Sequence, residues 1–414
     1  MSEAMSYAES AGMPLAFRIR LGMMMFLNYV IWGAWYVTID TYLTTTLHFT
    51  GIEAGAVFGT TALASMISPF FVGLISDRYF ASERVLAVLH LVGAALLFSV
   101  AKVTGFSAVY ALMFIYCLCY FPTIALTNSI ALQHLTNSRR DFPLIRVFGT
   151  FGWIAIGVTI GLLRVEESAD QFLIAAAASV VMAIFSLTLP HTPPQSKGRE
   201  VRIREILGLD ALVMLKRSTY AVFAVASVLA CIPLTFYFSF TNDYLNALHV
   251  QDAAGKMTLG QVSEVAMLLL MPLLLKRMNV RTILIVGMLA WTMRYSLLAF
   301  GNAGAAMWMF YVAILLHGVC FDFFFVTGQL YTDQEAPPRL RGAAQGLIAF
   351  LTYGVGMFIG SVTSGVAVDY FTHTVAGVVV RDWRAFWLTS AAGSFAVLLL
   401  IAVFFRSRVL IKSE

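Results

Sequence analysis

Apolar residues run along this chain in long blocks, with polar residues held to short breaks between them. A helix needs about 20 mostly apolar residues to cross the hydrocarbon core of a bilayer. The blocks predict helices near 20–42, 52–75, 84–101, 106–132, 143–163 and 169–190. A second set follows near 218–245, 259–275, 279–300, 304–331, 341–369 and 383–405. The stretch 259–300 carries the least punctuation between neighbours. The runs are continuous, whereas barrel strands alternate over about 10 residues, so strands are not expected.

Composition turns this pattern into a class. Of the 414 residues 60% are hydrophobic and 12% charged, and mean hydropathy is +0.82. Soluble domains carry about 25% charged residues. Half that density leaves too little charge to cover a water-facing surface, so the chain reads as an all-α integral membrane protein. The net charge of +5 lies in short loops, a topological pattern rather than a nucleic-acid groove. Cys117, Cys119, Cys231 and Cys320 lie inside apolar runs without metal-type spacing to histidine, so neither a metal site nor a disulfide framework is expected. Residues 1–17 lack a basic region followed by a cleavable apolar core, and no signal peptide is expected.

With the N-terminus inside, twenty of the 27 Lys and Arg fall in inside loops and tails and five in outside loops. Arg146 and Arg294 lie within spans. The positive-inside rule then puts both termini in the cytoplasm. The segment 191–217 ("HTPPQSKGREVRIREILGLDALVMLKR") is the one long linker. It divides the chain into a six-helix bundle over 1–190, a cytoplasmic linker over 191–217 and a second six-helix bundle over 218–414. An echo joins the two: "IDTYL" (39–43) closes the first helix and "TNDYL" (241–245) the seventh.

Charges inside spans are costly, about 2.5–3.5 kcal/mol at the bilayer centre on insertion scales, and so should face a cavity or a partner. "RVFGTFGW" (146–153) puts Arg146, Thr150 and Trp153 on one helical face, a guanidinium, a hydroxyl and an indole together. Gln261 and Glu264, one turn apart in the eighth span, offer an amide and a carboxylate to a polar organic solute. Glu264 can also carry a proton. "LHGVCFDFFFVTGQ" (316–329) aligns His317 with Phe321 and turns Asp322 about 100° away. Arg294 and the span-end acids Asp40, Asp243 and Asp369 read more simply as structural ion pairs, and His90 as a satisfied packing histidine. In "GLISDRYFASER" (73–84), Asp77 with Arg78 and Arg84 can form charge pairs that hold a cytoplasmic gate. Small residues at Gly51/Gly55/Gly59, Gly157/Gly161 and Gly356/Gly360 mark close helix contacts.

Seven segments in order, "IWGAWYVTIDTYL", "DFPLIRVFGTFGW", "TLPHTPP", "LGLDALVMLK", "QVSE", "CFDFFF" and "RLRGAAQG", together resemble the bacterial nucleoside:proton symporters of the major facilitator superfamily. The resemblance covers nearly the whole chain. It implies the major facilitator fold of 12 transmembrane helices, a multi-pass place in the bacterial inner membrane, and nucleoside uptake by alternating access as a monomer. The proton gradient supplies the energy and no cofactor is implied. Among the family's solute contacts, the arginine and threonine of the fifth helix match Arg146 and Thr150, and the eighth-helix glutamine and glutamate match Gln261 and Glu264. Trp153 replaces a phenylalanine. His317 takes a tyrosine position, followed by the retained Phe321. Where the family has Gln and Asn in the seventh helix, this chain has Thr235 and Phe238. Those departures keep open a second reading, the same scaffold moving a sugar or a modified nucleoside. Glu264, or else Asp322, is the expected proton carrier. A sensor without transport is disfavoured by short tails and loops. An enzyme is not expected, since no nucleophile–base pair or phosphate loop appears.

Overall fold

The computed structural model describes residues 15–71, 79–135, 137–194, 209–375 and 378–407. The helices are α1 (Leu15–Gly33), α2 (Gly51–Phe71), α3 (Ser82–Val100), α4 (Phe106–His134), α5 (Ser138–Leu163) and α6 (Asp170–Ser186). They continue with α7 (Ser218–Ala247), α8 (Leu259–Arg277), α9 (Val280–Phe300), α10 (Met307–Glu335), α11 (Pro338–Tyr370) and α12 (Trp383–Phe404). Ten of the described helices are long and apolar enough to cross a membrane, and α6 is a shorter apolar helix. Pro122, Pro143, Pro233 and Pro272 sit inside helices, which membrane helices tolerate because neighbours satisfy the freed carbonyls.

Polar side chains set several helix starts. Asn137 accepts from the Arg140 amide (3.1 Å) at α5, Asn279 from the Thr282 amide (2.9 Å) at α9, and Asp382 from the Ala385 amide (3.0 Å) at α12. Asn279 thus resolves the unpunctuated stretch 259–300. The first predicted helix is interrupted: α1 stops at Gly33, and helix resumes over Ile39–Thr41 with a π turn at Tyr42–Thr46. Further π segments lie within α10 (Asp322–Val326) and α11 (Phe350–Gly356).

Two expectations need correction. Strands do occur: Thr372–Val375 pairs antiparallel with Val378–Arg381 between α11 and α12. The β-branched Thr and Val residues there favour extended backbone, and the segment was too short to register beside long helices. His90 is buried, but its Nε2 has no hydrogen-bond partner. It packs edge-on to Tyr120 rather than being satisfied.

Helices of the first six meet those of the last six at the end of the molecule opposite Leu15 and Phe404. The start of α2 packs on the end of α11. A Cβ at Gly51 would lie 2.6 Å from the Gly365 carbonyl oxygen, so the small residues permit backbone contact. Asp369, read as an ion-pair member, instead caps α2 by accepting from the amides of Gly51 (2.6 Å) and Ile52 (2.9 Å). The echoed pentads face each other: Thr41 donates to Asn242 (2.6 Å) and Thr44 to Asp243 (3.0 Å). Asp243 also pairs with Arg381 at 2.6 Å, an ion pair as expected. Among the described residues Asp40 makes no ion pair: it lies fully buried by Ser239 with neither carboxylate oxygen in hydrogen-bond geometry. Glu166 completes this end. It accepts from Asn242 Nδ2 (2.8 Å), Asn246 Nδ2 (2.6 Å) and the Ala254 amide (2.9 Å). In the linker, Leu209–Lys216 forms a 3-10 helix that buries Ala211 and Met214.

Candidate functional site

The face at 146–153 forms as its spacing predicts. Arg146 donates from Nη2 to the Tyr29 hydroxyl at 2.6 Å, and its guanidinium lies 4.4 Å from the centre of the Tyr29 ring. Gly149 makes this possible: a Cβ there would lie 2.8 Å from Tyr29 Cδ2 and 2.9 Å from Arg146 Nη1. Thr150 and Trp153 on the same face are half-buried. Trp153 meets Trp32 edge-on at 5.2 Å and Tyr36 at 5.7 Å between ring centres.

On the other side, α8 and α10 approach so closely that a Cβ at Gly318 would lie 2.7 Å from the Glu264 amide nitrogen. A Cβ at Gly260 would lie 3.2 Å from His317 Cβ. Glu264 Oε2 is consequently 3.8 Å from His317 Nε2. The Glu264 side chain keeps 33% of its surface open, so it lines a space rather than being packed shut. Gln261 is half-buried on the same helix. The two sides sense each other, since Arg146, Tyr29 and Tyr353 all interact electrostatically with Glu264.

Aromatic rings bridge the two sides. Tyr36 contacts Phe238 at 5.5 Å, Phe238 contacts His317 at 5.7 Å, and His317 contacts Phe321 at 5.8 Å. Phe321 continues to Phe325 and on to Tyr353. Planar faces on both sides of a polar pair suit a ring-bearing polar solute.

Other residues fall elsewhere. Thr235 is buried away from this space: its hydroxyl donates to the Cys231 carbonyl (2.8 Å) and packs on Gly360 and Met357. Asp322 is buried with Oδ2 unpartnered, and it interacts electrostatically with Glu264. That interaction puts it in the neighbourhood of the site despite its rotation from Phe321. Asp77 and Arg78 lie outside the described residues, and Arg84 is exposed on the first turn of α3. Its neighbour Glu83 is the engaged residue, accepting from His191 Nδ1 (2.9 Å) and the Thr192 amide (3.0 Å). Arg294, read as half of an ion pair, makes none among the described residues. Its Nη1 donates to His317 Nδ1 at 2.9 Å.

Sequence reasoning missed Tyr29, Tyr353 and Glu166. The first two are unremarkable tyrosines in apolar runs, and only the packing of α1 and α11 brings them to the site. Glu166 was a loop acid with no local motif to mark it.

Comparison with known proteins follows this geometry. Residues 15–409 match the family model described as Nucleoside H+ symporter. The Escherichia coli (strain K12) protein YegT is 39% identical over 94% of this chain and 93% of its own length. The xanthosine permease of the same organism is 34% identical over 94% and 96%. A crystal structure of the nucleoside transporter NupG superposes with a TM-score of 0.87 at 30% identity, covering 94% of this chain and 99% of that one.

Proposed function

This chain belongs to the nucleoside H+ symporter family, and from that premise we propose that it imports nucleosides with protons by alternating access across a bacterial inner membrane. We read twelve spans in two six-helix bundles, 1–190 and 218–414, joined by the cytoplasmic linker 191–217, with both termini in the cytoplasm and the monomer as the working unit.

The observation that carries this reading is the pairing of two polar faces across an aromatic bridge. Arg146 stands on one helix set, Glu264 with Gln261 on the other, and the Tyr36–Phe238 contact joins them. Arg146 and Thr150 supply donors to ribose or base oxygens, Gln261 supplies both donor and acceptor, and Glu264 accepts from hydroxyls. Trp153 and Phe321 provide flat faces for the base. Thr235 takes a packing role instead of contacting solute.

With the membrane assigned this way, the end joined through Thr41, Thr44 and Asp369 faces outward. Protonation of Glu264, with Asp322 as the second carboxyl in the neighbourhood, removes a charge from the seam. That changes the relative stability of the inward- and outward-open states, the only route by which a proton can drive the cycle. Energy comes from the proton gradient, and the chemistry requires no cofactor.

Uptake of uridine and adenosine into proteoliposomes, with and without an inward proton gradient, tests the reading. Gradient-stimulated accumulation is expected. Flux that ignores the gradient, or no flux of any nucleoside, refutes it.

A further inference from the structure

Arg294 lies in mid-α9 and is fully buried. Among the described residues its Nε and Nη2 have no partner in hydrogen-bond geometry, although the Tyr237 hydroxyl and the Cys320 thiol lie close enough to interact with it, while Nη1 bonds His317 Nδ1 at 2.9 Å. A buried cation is costly unless compensated. Here the compensation is aromatic: the guanidinium carbon stands 3.4 Å from the centre of the Tyr237 ring. Tyr237 also stacks on His317, with ring centres 5.6 Å apart and planes 24° from parallel. One tyrosine therefore braces both partners of the Arg294–His317 bond.

The chemistry of that bond is one-sided. A guanidinium has donors only and keeps its proton. His317 Nδ1 must therefore accept, and the ring hydrogen must sit on Nε2, because the bond made by one ring nitrogen sets the state of the other. Nε2 is the atom that faces Glu264 Oε2 at 3.8 Å. The gap is wider than a direct hydrogen bond, and of the two side chains Glu264 is the one that keeps open surface.

We propose that Arg294 is a positioning residue that holds His317 in its Nε2–H form, so that the imidazole presents a fixed donor beside Glu264. The site then offers a donor and an acceptor side by side, matched to a solute group carrying the complementary pair. A solute that places an N–H opposite His317 is penalised, since a donor facing a donor leaves a buried group unpaired. The consequence for solute choice rests on the nucleoside reading above; the state of the imidazole does not.

The test uses the full-length protein with 15N-histidine in lipid nanodiscs. The His317 signals are identified by their loss in His317→Phe. The wild type is expected to show a protonated Nε2 and a bare Nδ1. Arg294→Met is expected to lose that preference, and Arg294→Lys, which restores a donor, to recover it. A wild-type hydrogen on Nδ1, or the same imidazole pattern in Arg294→Met, overturns the proposal. Should Arg294→Met not fold, a wild-type hydrogen on Nδ1 still overturns the proposal, and Arg294→Lys with the uptake cycle below still tests the part played by Arg294.

Uridine uptake gives a second readout. Arg294→Met is expected to raise KM several-fold in the wild-type background and to change it little in His317→Phe. Fully additive effects would show that Arg294 does not act through His317. The expected spectra without uptake of any nucleoside would refute the nucleoside reading and leave the role of Arg294 intact.

Discussion

Thr41 Oγ1 donates to Asn242 Oδ1 at 2.6 Å, joining the end of the first helical run to the end of α7. Asn242 passes the connection on through Nδ2 to Glu166, which also holds Asn246 and the Ala254 amide. A carboxylate suits this place because it only accepts. Glu166→Gln puts an NH2 where an acceptor is needed, so it should loosen the closed end. A Thr44→Cys reporter, buried there in the parent, is expected to react several-fold faster with a membrane-impermeant maleimide when Glu166→Gln is added. An unchanged rate would count against this clasp.

Glu264 should separate binding from coupling. Glu264→Gln keeps the size and one acceptor but cannot exchange a proton. Wild-type uptake is expected to rise as external pH is lowered below internal pH. The variant is expected to keep measurable nucleoside binding and lose the pH stimulation. Full proton-driven accumulation by Glu264→Gln would transfer the coupling role to another acid, with Asp322 the next to examine.

Arg146 and Tyr29 make a bond that depends on guanidinium shape. Lysine retains the charge but not the flat, multi-donor head. Arg146→Lys is expected to lower kcat/KM for uridine at least tenfold, about 1.4 kcal/mol. Tyr29→Phe, which keeps the ring and removes only the hydroxyl, should cost less. Equal uptake by Arg146→Lys and wild type would remove Arg146 from direct solute contact.

Gly318 sets the distance between α8 and α10. A methyl there meets the Ser263 carbonyl group and the Glu264 amide, and overpacking of this kind costs about 1–3 kcal/mol. Gly318→Ala is expected to lower the melting temperature by several degrees and to impair uptake through displaced Glu264. Wild-type melting and uptake would mean that the helices part without consequence.

The helices were legible because crossing a bilayer demands long apolar runs, and the predicted runs at 84–101, 218–245 and 383–405 fall within a few residues of α3, α7 and α12. Arg146, Thr150 and Trp153 were legible as one face because α-helical spacing alone puts them there. The interruption after Gly33 and the hairpin at Thr372–Arg381 were not, since each depends on short local geometry beneath a strong hydropathy signal.

By itself, the sequence determined that the chain is a membrane protein, where its helices run, and that Arg146 and Glu264 must find polar surroundings, because burying a charge in lipid is expensive whatever the fold. Which surroundings they find was decided only in three dimensions. Tyr29 comes to Arg146 because α1 packs on α5 at Gly149, and His317 comes to Glu264 because α8 and α10 touch at Gly318. Arg294 shows the same division: its charge could be read from the chain, but its partner is an imidazole and a tyrosine face rather than a carboxylate. Periodicity orders residues along one helix, whereas these pairs are set by how closely separate helices approach.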